Sequence, residues 1–257
     1  MKAFTAKLIV LIICIFILNF TVTDFSFAEE NTFDLPGVDI QINQPDTNQE
    51  VADSIKIIVL LTILGLAPSI LIMMTSFTRF VIVLSFLRKA MSLQATPPNQ
   101  ILVGLALFLT FFVMSPVITE VIETAYEPFA QGEISQEVAL ENAQKPLKDF
   151  MLKQVRSKDL ALFMKISDVD QVDSLKEVPI TTLIPAFIIS ELKTAFQIGF
   201  LLFIPFIVID MIVASTLMAL GMMMLPPVMI SLPFKILLFV LVDGWHLIVE
   251  KLILSIR

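Results

Sequence analysis

Five charged side chains sit among apolar runs of this sequence. Glu191 and Lys193 lie within or beside the run at 188–192, Asp210 lies inside 207–213, and Lys235 and Asp243 flank the last run. An unpaired charge in hydrocarbon costs at least about 2.5–3.5 kcal/mol on insertion scales, so each must face protein or water and hold a partner. Two kinds of chemistry fit: a relay for a proton or ion, or fixed ion pairs that lock helices or subunits together. The fixed pairs are favoured, since a transporter more often repeats its halves around broken helices, and no internal repeat is found.

A second group is softer. Met218, Met222, Met223, Met224 and Met229 crowd around Pro226 and Pro227. Three successive methionines cannot share one helix face, because neighbours point about 100° apart. Gly221 and the proline pair therefore predict a non-helical loop. Methionine is unbranched and adaptable, so a ring of such loops could close around varied chains or around nothing. Alternatively these are lipid-facing or core-filling residues of a hairpin tip.

Other chemistry is missing from the sequence. The one histidine, His246, stands beside Trp245 near an expected helix end and reads as interfacial or packing. There is no P-loop, no glycine-rich phosphate cradle and no carboxylate cluster of metal-ligand spacing. No catalytic residue, metal or cofactor is expected, so any work done draws its energy from elsewhere.

The elements that position these residues follow from composition. Of 257 residues, 57% are hydrophobic and 16% charged, with a mean hydropathy of +0.90. Soluble chains run at about 45–50% apolar and 25% charged, so a single water-soluble domain is excluded. The net charge of −7 argues against nucleic acid as a partner. Residues 1–28 read as a cleaved secretory signal, with Lys2 and Lys7, an apolar run at 8–18 and a small-x-small site ending at Ala28. An uncleaved anchor is the other reading. Cleavage would remove Cys14, the one cysteine. Residues 29–53 carry seven acids and no Lys or Arg, an acidic exported linker.

Charge-free stretches at 57–78, 90–119, 194–209 and 211–234 predict four hydrophobic helices, with Pro68, Pro116 and Pro205 marking kinks or ends. An exported linker runs the first helix inward, which puts Arg79, Arg88 and Lys89 at a cytoplasmic connection, as the positive-inside rule asks. The expected fold is all-α and membrane-integral: a first helix pair at 54–119, a charged exterior helical segment at 120–180, and a second pair at 181–257. Twelve acids and seven bases fall in 120–177. There Ser135 could N-cap a short helix through Leu140, and Pro146 could open another. Leu147, Phe150, Met151 and Val155 give that second helix an apolar face, packing either on itself or on neighbouring subunits.

Longer motifs carry a resemblance. PAFIISELKTAFQIGF (185–200), PFKILLFVLVDGW (233–245), LMALGMMMLPP (217–227), MTSFTRFVIVLSFLR (74–88) and PPNQILVGLALFLTFFVMSP (97–116) resemble the FliP family over roughly residues 54–250. The resemblance implies a subunit of the flagellar type III export gate, in the bacterial inner membrane at the basal body. Several copies would assemble with FliQ, FliR and FlhB type proteins into a helical channel, with FlhA and a cytoplasmic ATPase complex acting indirectly. Unfolded flagellar subunits would be the cargo, and lipid would cover the remaining apolar surface. It implies a pore gasket at Met222, Met223 and Met224 and an aromatic constriction at Phe150. Arg156, Glu191 and Lys235, with Asp210, are then candidates for ion pairs between helices or subunits. It further implies bent hairpins displaced toward the exterior, so that four spans describe insertion rather than the final state. A virulence-injectisome gate subunit and an ion-coupled transporter using Asp210 and Glu191 are the alternatives.

Overall fold

The computed structural model describes residues 48–167, 175–222 and 224–256. Residues 1–28, expected to be a secretory signal, residues 29–47 of the expected linker and Met223 lie outside them. The described residues are helical, with no strand among them. In chain order the helices are α1 Asn48–Met73, α2 Phe77–Ala90, α3 Asn99–Val121, α4 Glu127–Ala130, α5 Gln136–Gln154, α6 Ser157–Ile166, α7 Ile180–Ala219, α8 Pro227–Leu241 and α9 Gly244–Leu254. Three are long and apolar enough to cross a membrane, over Ile55–Met73, Asn99–Ala130 and Ile180–Ala219. The α8–α9 pair, bent by 64°, makes four if it counts as one span.

The four helices are not cut where the charges stand. The stretches 194–209 and 211–234 do not form separate helices: α7 runs unbroken through Glu191, Lys193 and Asp210, and 211–234 holds the end of α7, a turn and the start of α8. A charge ends an apolar helix only if it needs water, and these three have protein partners. Arg79 likewise lies inside α2, buried, rather than at a connection. The two short helices expected at Ser135 and Pro146 are one, α5. Ser135 caps it, its hydroxyl accepting from the Val138 amide at 3.4 Å, and Pro146 is buried in its interior.

Periodicity explains the packing. Phe80, Val83, Leu84 and Leu87 repeat at helical spacing on one face of α2 and are fully buried. They meet α7, where Leu183, Ala186, Phe187, Ser190, Glu191 and Ala195 form the facing stripe. Farther along, α2 and α7 approach so closely that a Cβ at Gly199 would sit 2.7 Å from the Phe86 ring. The α3 helix adds Leu102, Ala106, Leu109 and Met114 against α2. From the other side, α5 and α6 pack on α7, and the apolar face of α5 is used within the chain: Phe150 and Met151 are buried, with Leu147 and Val155 packed against the same core. Between α3 and α4 the chain passes through a π-helical turn, Ile122–Tyr126. Pro128 has no N–H to offer the Thr124 carbonyl, and Asn142 Nδ2 donates to it at 3.2 Å.

Candidate functional site

Three polar clasps fasten this apolar body, and each uses α7. At the first, the Arg79 guanidinium from α2 meets Glu191 from α7. Nε donates to Oε2 at 2.8 Å and Nη2 to Oε1. Nη2 also donates to Gln154 Oε1 at 3.0 Å, and Nη1 to the Ser255 carbonyl and hydroxyl at 2.7 and 3.1 Å. These five bonds match the five N–H groups of a guanidinium. Gln154 Nε2 continues the chain to the Ile256 carbonyl at 2.7 Å. The clasp thus ties α2, α7, the end of α5 and the carbonyl end of α9, where a cation is also favoured by the helix dipole. Arg79 and Glu191 are 2% and 1% exposed. Removing one partner would therefore strand the other in a dry interior.

The second clasp joins α6 to α7. Buried Asp159 accepts from the Ser190 hydroxyl at 3.0 Å and from the Lys193 ammonium. The Lys193 hydrogen bond holds the Asp159 carboxyl below the usual carboxylate range. Burial opposes it, and the Ser190 bond and the charges of Lys193 and Arg156 reinforce it. Arg156 is placed here as well, although among the described residues it forms no ion pair with a carboxylate: its amide donates to Ser190 Oγ at 3.0 Å and Nη2 to Thr194 Oγ1 at 3.1 Å and to Gln197 Oε1.

The third clasp lies on the hairpin of α7 and α8. Lys235 Nζ, 1% exposed, donates to Asp210 Oδ2 at 2.6 Å and to Ser92 Oγ at 2.7 Å, with the Ala90 carbonyl at 3.4 Å. The buried Ser231 hydroxyl donates to Asp210 Oδ1. Ser92 belongs to the turn after α2 and has a φ of 60°. Asp243 is not drawn in; it is exposed at the α8–α9 bend with a left-handed φ of 49°.

Beyond this clasp the hairpin ends in the methionine turn. The Gly221 amide donates to the Met218 carbonyl and the Met222 amide to that of Leu217, both at 3.0 Å. With Gly221 at a φ of 75°, this is the Schellman closure of a helix, which needs a residue comfortable in the left-handed region. Leu225 donates back to the Met222 carbonyl at 3.3 Å, and Pro226 and Pro227 open α8. Met222 is 40% exposed and Met224 is 99% exposed.

Phe150 stands elsewhere, 8% exposed in the core, its ring edge-on to Phe187 at 6.1 Å. Of the residues singled out from sequence, the fold brings Asp210 and Lys235 together, sets Glu191 on Arg79, and sets Arg156 beside the Asp159 clasp. It leaves Phe150 apart from the methionine turn. Sequence reasoning missed Asp159, Gln154, Ser92, Ser231 and Ser255, and gave Arg79 a different place. Arg79 could have been found by register: it precedes Val83 and Leu87 by four and eight residues on the buried face. Among the described residues no group of three or more His, Cys, Asp or Glu could hold a metal ion.

Comparison with known proteins supplies the family. The FliP family profile matches residues 60–252. The chain is 58% identical over 216 residues to the flagellar biosynthetic protein FliP of Bacillus subtilis (strain 168), covering 84% of this chain and 98% of that one. It is 56% identical over 218 residues to that of Pectobacterium carotovorum subsp. carotovorum, covering 85% and 84%, and 48% identical over 249 residues to that of Borreliella burgdorferi, covering 93% and 97%. With a match that runs from within α1 to within α9, and so takes in the second and third clasps, the Arg79–Glu191 pair of the first and the methionine turn, the chain belongs to the FliP family.

Proposed function

We propose that this chain is a membrane subunit of the flagellar protein-export apparatus, and that copies of it surround a pore which its methionine turn seals at rest. The observation that carries the seal is the tip itself: a tightly closed turn that presents Met224 bare at the end of a two-helix arm. An adaptable apolar side chain held outward by a rigid turn suits a gasket, which must yield to varied chains and close behind them.

The surface supports an assembly. Ile57, Leu60, Leu64 and Leu71 of α1, Phe196, Phe200 and Met211 of α7, and Val240 and Leu241 of α8 are all exposed, far more apolar surface than water tolerates on a free subunit. Lipid, further copies of this chain and FliQ, FliR and FlhB type proteins are its proposed cover. FlhA and the cytoplasmic ATPase complex would act at one remove, and unfolded flagellar subunits would be the cargo. The length of α7 favours a subunit that is not a simple bundle of upright spans. Its 40 residues reach about 60 Å at 1.5 Å per residue, twice a hydrocarbon core of about 30 Å. The proposed site is the inner membrane at the basal body.

An ion-coupled transporter is disfavoured because Glu191 and Asp210 each hold a fixed cation. The test of the seal is replacement of Met222, Met223 and Met224 together by Ala. The assembled complex should form in normal amount and leak small solutes; an intact complex that stays tight would overturn the gasket.

A further inference from the structure

We infer that the Asp210–Lys235–Ser92 clasp is a positioning device for the methionine turn, the fixed point of an arm that swings when the pore opens. This rests on the reading of that turn as the seal.

Three observations bear on the clasp. The first is the clasp, the polar fastening of the α7–α8 arm to the turn after α2: Lys235 is buried and spans from Asp210 on the opposite helix to Ser92. The second is the sparse packing of the arm tipward of it. Tipward, Met211, Ile212, Met218, Leu220, Val228 and Met229 are exposed while Leu217 is buried, so little apolar packing within the chain holds the last stretch of arm, which extends on the order of 15 Å past the clasp. The third is a pair of interior prolines, one in each arm and both near the clasp: Pro205, five residues before Asp210, and Pro233, two before Lys235. Proline in a helix interior lacks the N–H for the carbonyl four residues back and crowds it with its ring. Those carbonyls belong to Leu201 and Met229, so α7 is weakened to bending on the base side of the clasp and α8 on its tip side, one weak point to either side of the tether. The closed turn at Gly221 keeps the tip stiff, and bending there would move the methionines as a unit.

A bend point in each arm with an ionic tether between them makes a two-position lever. With the tether closed, the tip is held at one place relative to α2; with it open, the prolines let the tip move without unwinding α7 or α8. Lys235 and Asp210 thereby act through the turn rather than on the cargo.

The experiment uses the assembled complex in membranes, with Cys14→Ser and a Met224→Cys labelling site. Lys235→Met and the milder Ser92→Gly, which removes one acceptor where φ is positive, should each speed modification of that thiol by an impermeant maleimide several-fold in idle complexes. Lys235→Arg, which keeps the charge, should restore the slow rate. Pro205→Ala with Pro233→Ala should do the opposite, lowering export while the complex stays tight. Should Lys235→Met fail to assemble, Ser92→Gly decides. Unchanged labelling in complexes of normal abundance, or full export through proline-free arms, overturns the lever. The seal is judged apart from it: if the triple methionine variant leaks but clasp variants label as wild type, the lever falls and the seal stands. If clasp variants label faster but the triple variant stays tight, the seal falls and the lever remains a positioner of the turn.

Discussion

The two ends of α7 are held in different ways. Around Glu191 the helix is surrounded: α2, α5, α6 and the end of α9 converge, every N–H of Arg79 has an acceptor, and Phe187 is fully buried beside Phe150. Near Met218 the same helix buries Leu217 but leaves Met211, Ile212 and Met218 exposed. One helix is thus scaffold at its first half and an exposed arm at its second. The division teaches where stability and function separate. Substitutions near residue 190 should be read in folding, and substitutions near residue 222 in what the assembly lets through.

The largest effect should come from breaking the first clasp on one side. Glu191→Gln leaves the Arg79 charge buried without a counter-charge, and stranding one member of such a pair costs about 3–5 kcal/mol. Purified complex should fall sharply in yield and melting temperature. Replacing both together, Arg79→Met with Glu191→Leu, should recover most of that loss, because a buried pair is weak stabilisation against apolar side chains of similar size. A double variant no better than the single one would mean that the bonds to Gln154 and Ser255, not the ion pair, carry the contact.

A slightly smaller loss is expected at Phe150, where the two readings of one residue divide. As a core ring on Phe187, its replacement by Ala costs about 3 kcal/mol, the lower end for buried aromatics, with no leak from the complexes that survive. As a constriction, the same change would leave stability near wild type and raise solute leakage. Its burial favours the first, and a stable but leaky Phe150→Ala complex would move it to the pore.

How much of this division could be read beforehand depends on what each feature needs. The helices followed from period and hydropathy, and the loop at Gly221 followed from a glycine and two prolines that no helix accommodates. The charges inside apolar runs were visible as demands for partners. Their partners were not, because Arg79 and Glu191 are 112 residues apart, and nothing local joins them. Helix ends were misread for the same reason. A charge such as Asp210 looks like a boundary until Lys235, on the returning helix of the hairpin, is seen to neutralise it. Asp159 escaped notice because it sits in an ordinary charged segment, where a carboxylate normally needs no explanation.

That carboxylate gives the smallest and most graded test, since Lys193 on its far side is half in solvent. The Lys193 bond, with help from Ser190, lowers the folded-state pKa of Asp159. A group depressed in this way favours the charged form more in the folded state than in the unfolded one. Its contribution is complete above the unfolded value of about 3.9 and is lost as pH falls through the lower folded value. Asp159→Asn should therefore reduce stability at neutral pH by much less than Glu191→Gln, and the difference from wild type should shrink as pH drops below about 4. Thermal melts of the complex from pH 7 downward would measure this. A gap that stays constant would assign the loss to the Ser190 hydrogen bond and α6 packing alone. A gap that closes on acidification would show that the first half of α7 is held by charge on its α6 side as well as on its α2 side, which the exposed arm beyond Asp210 is not.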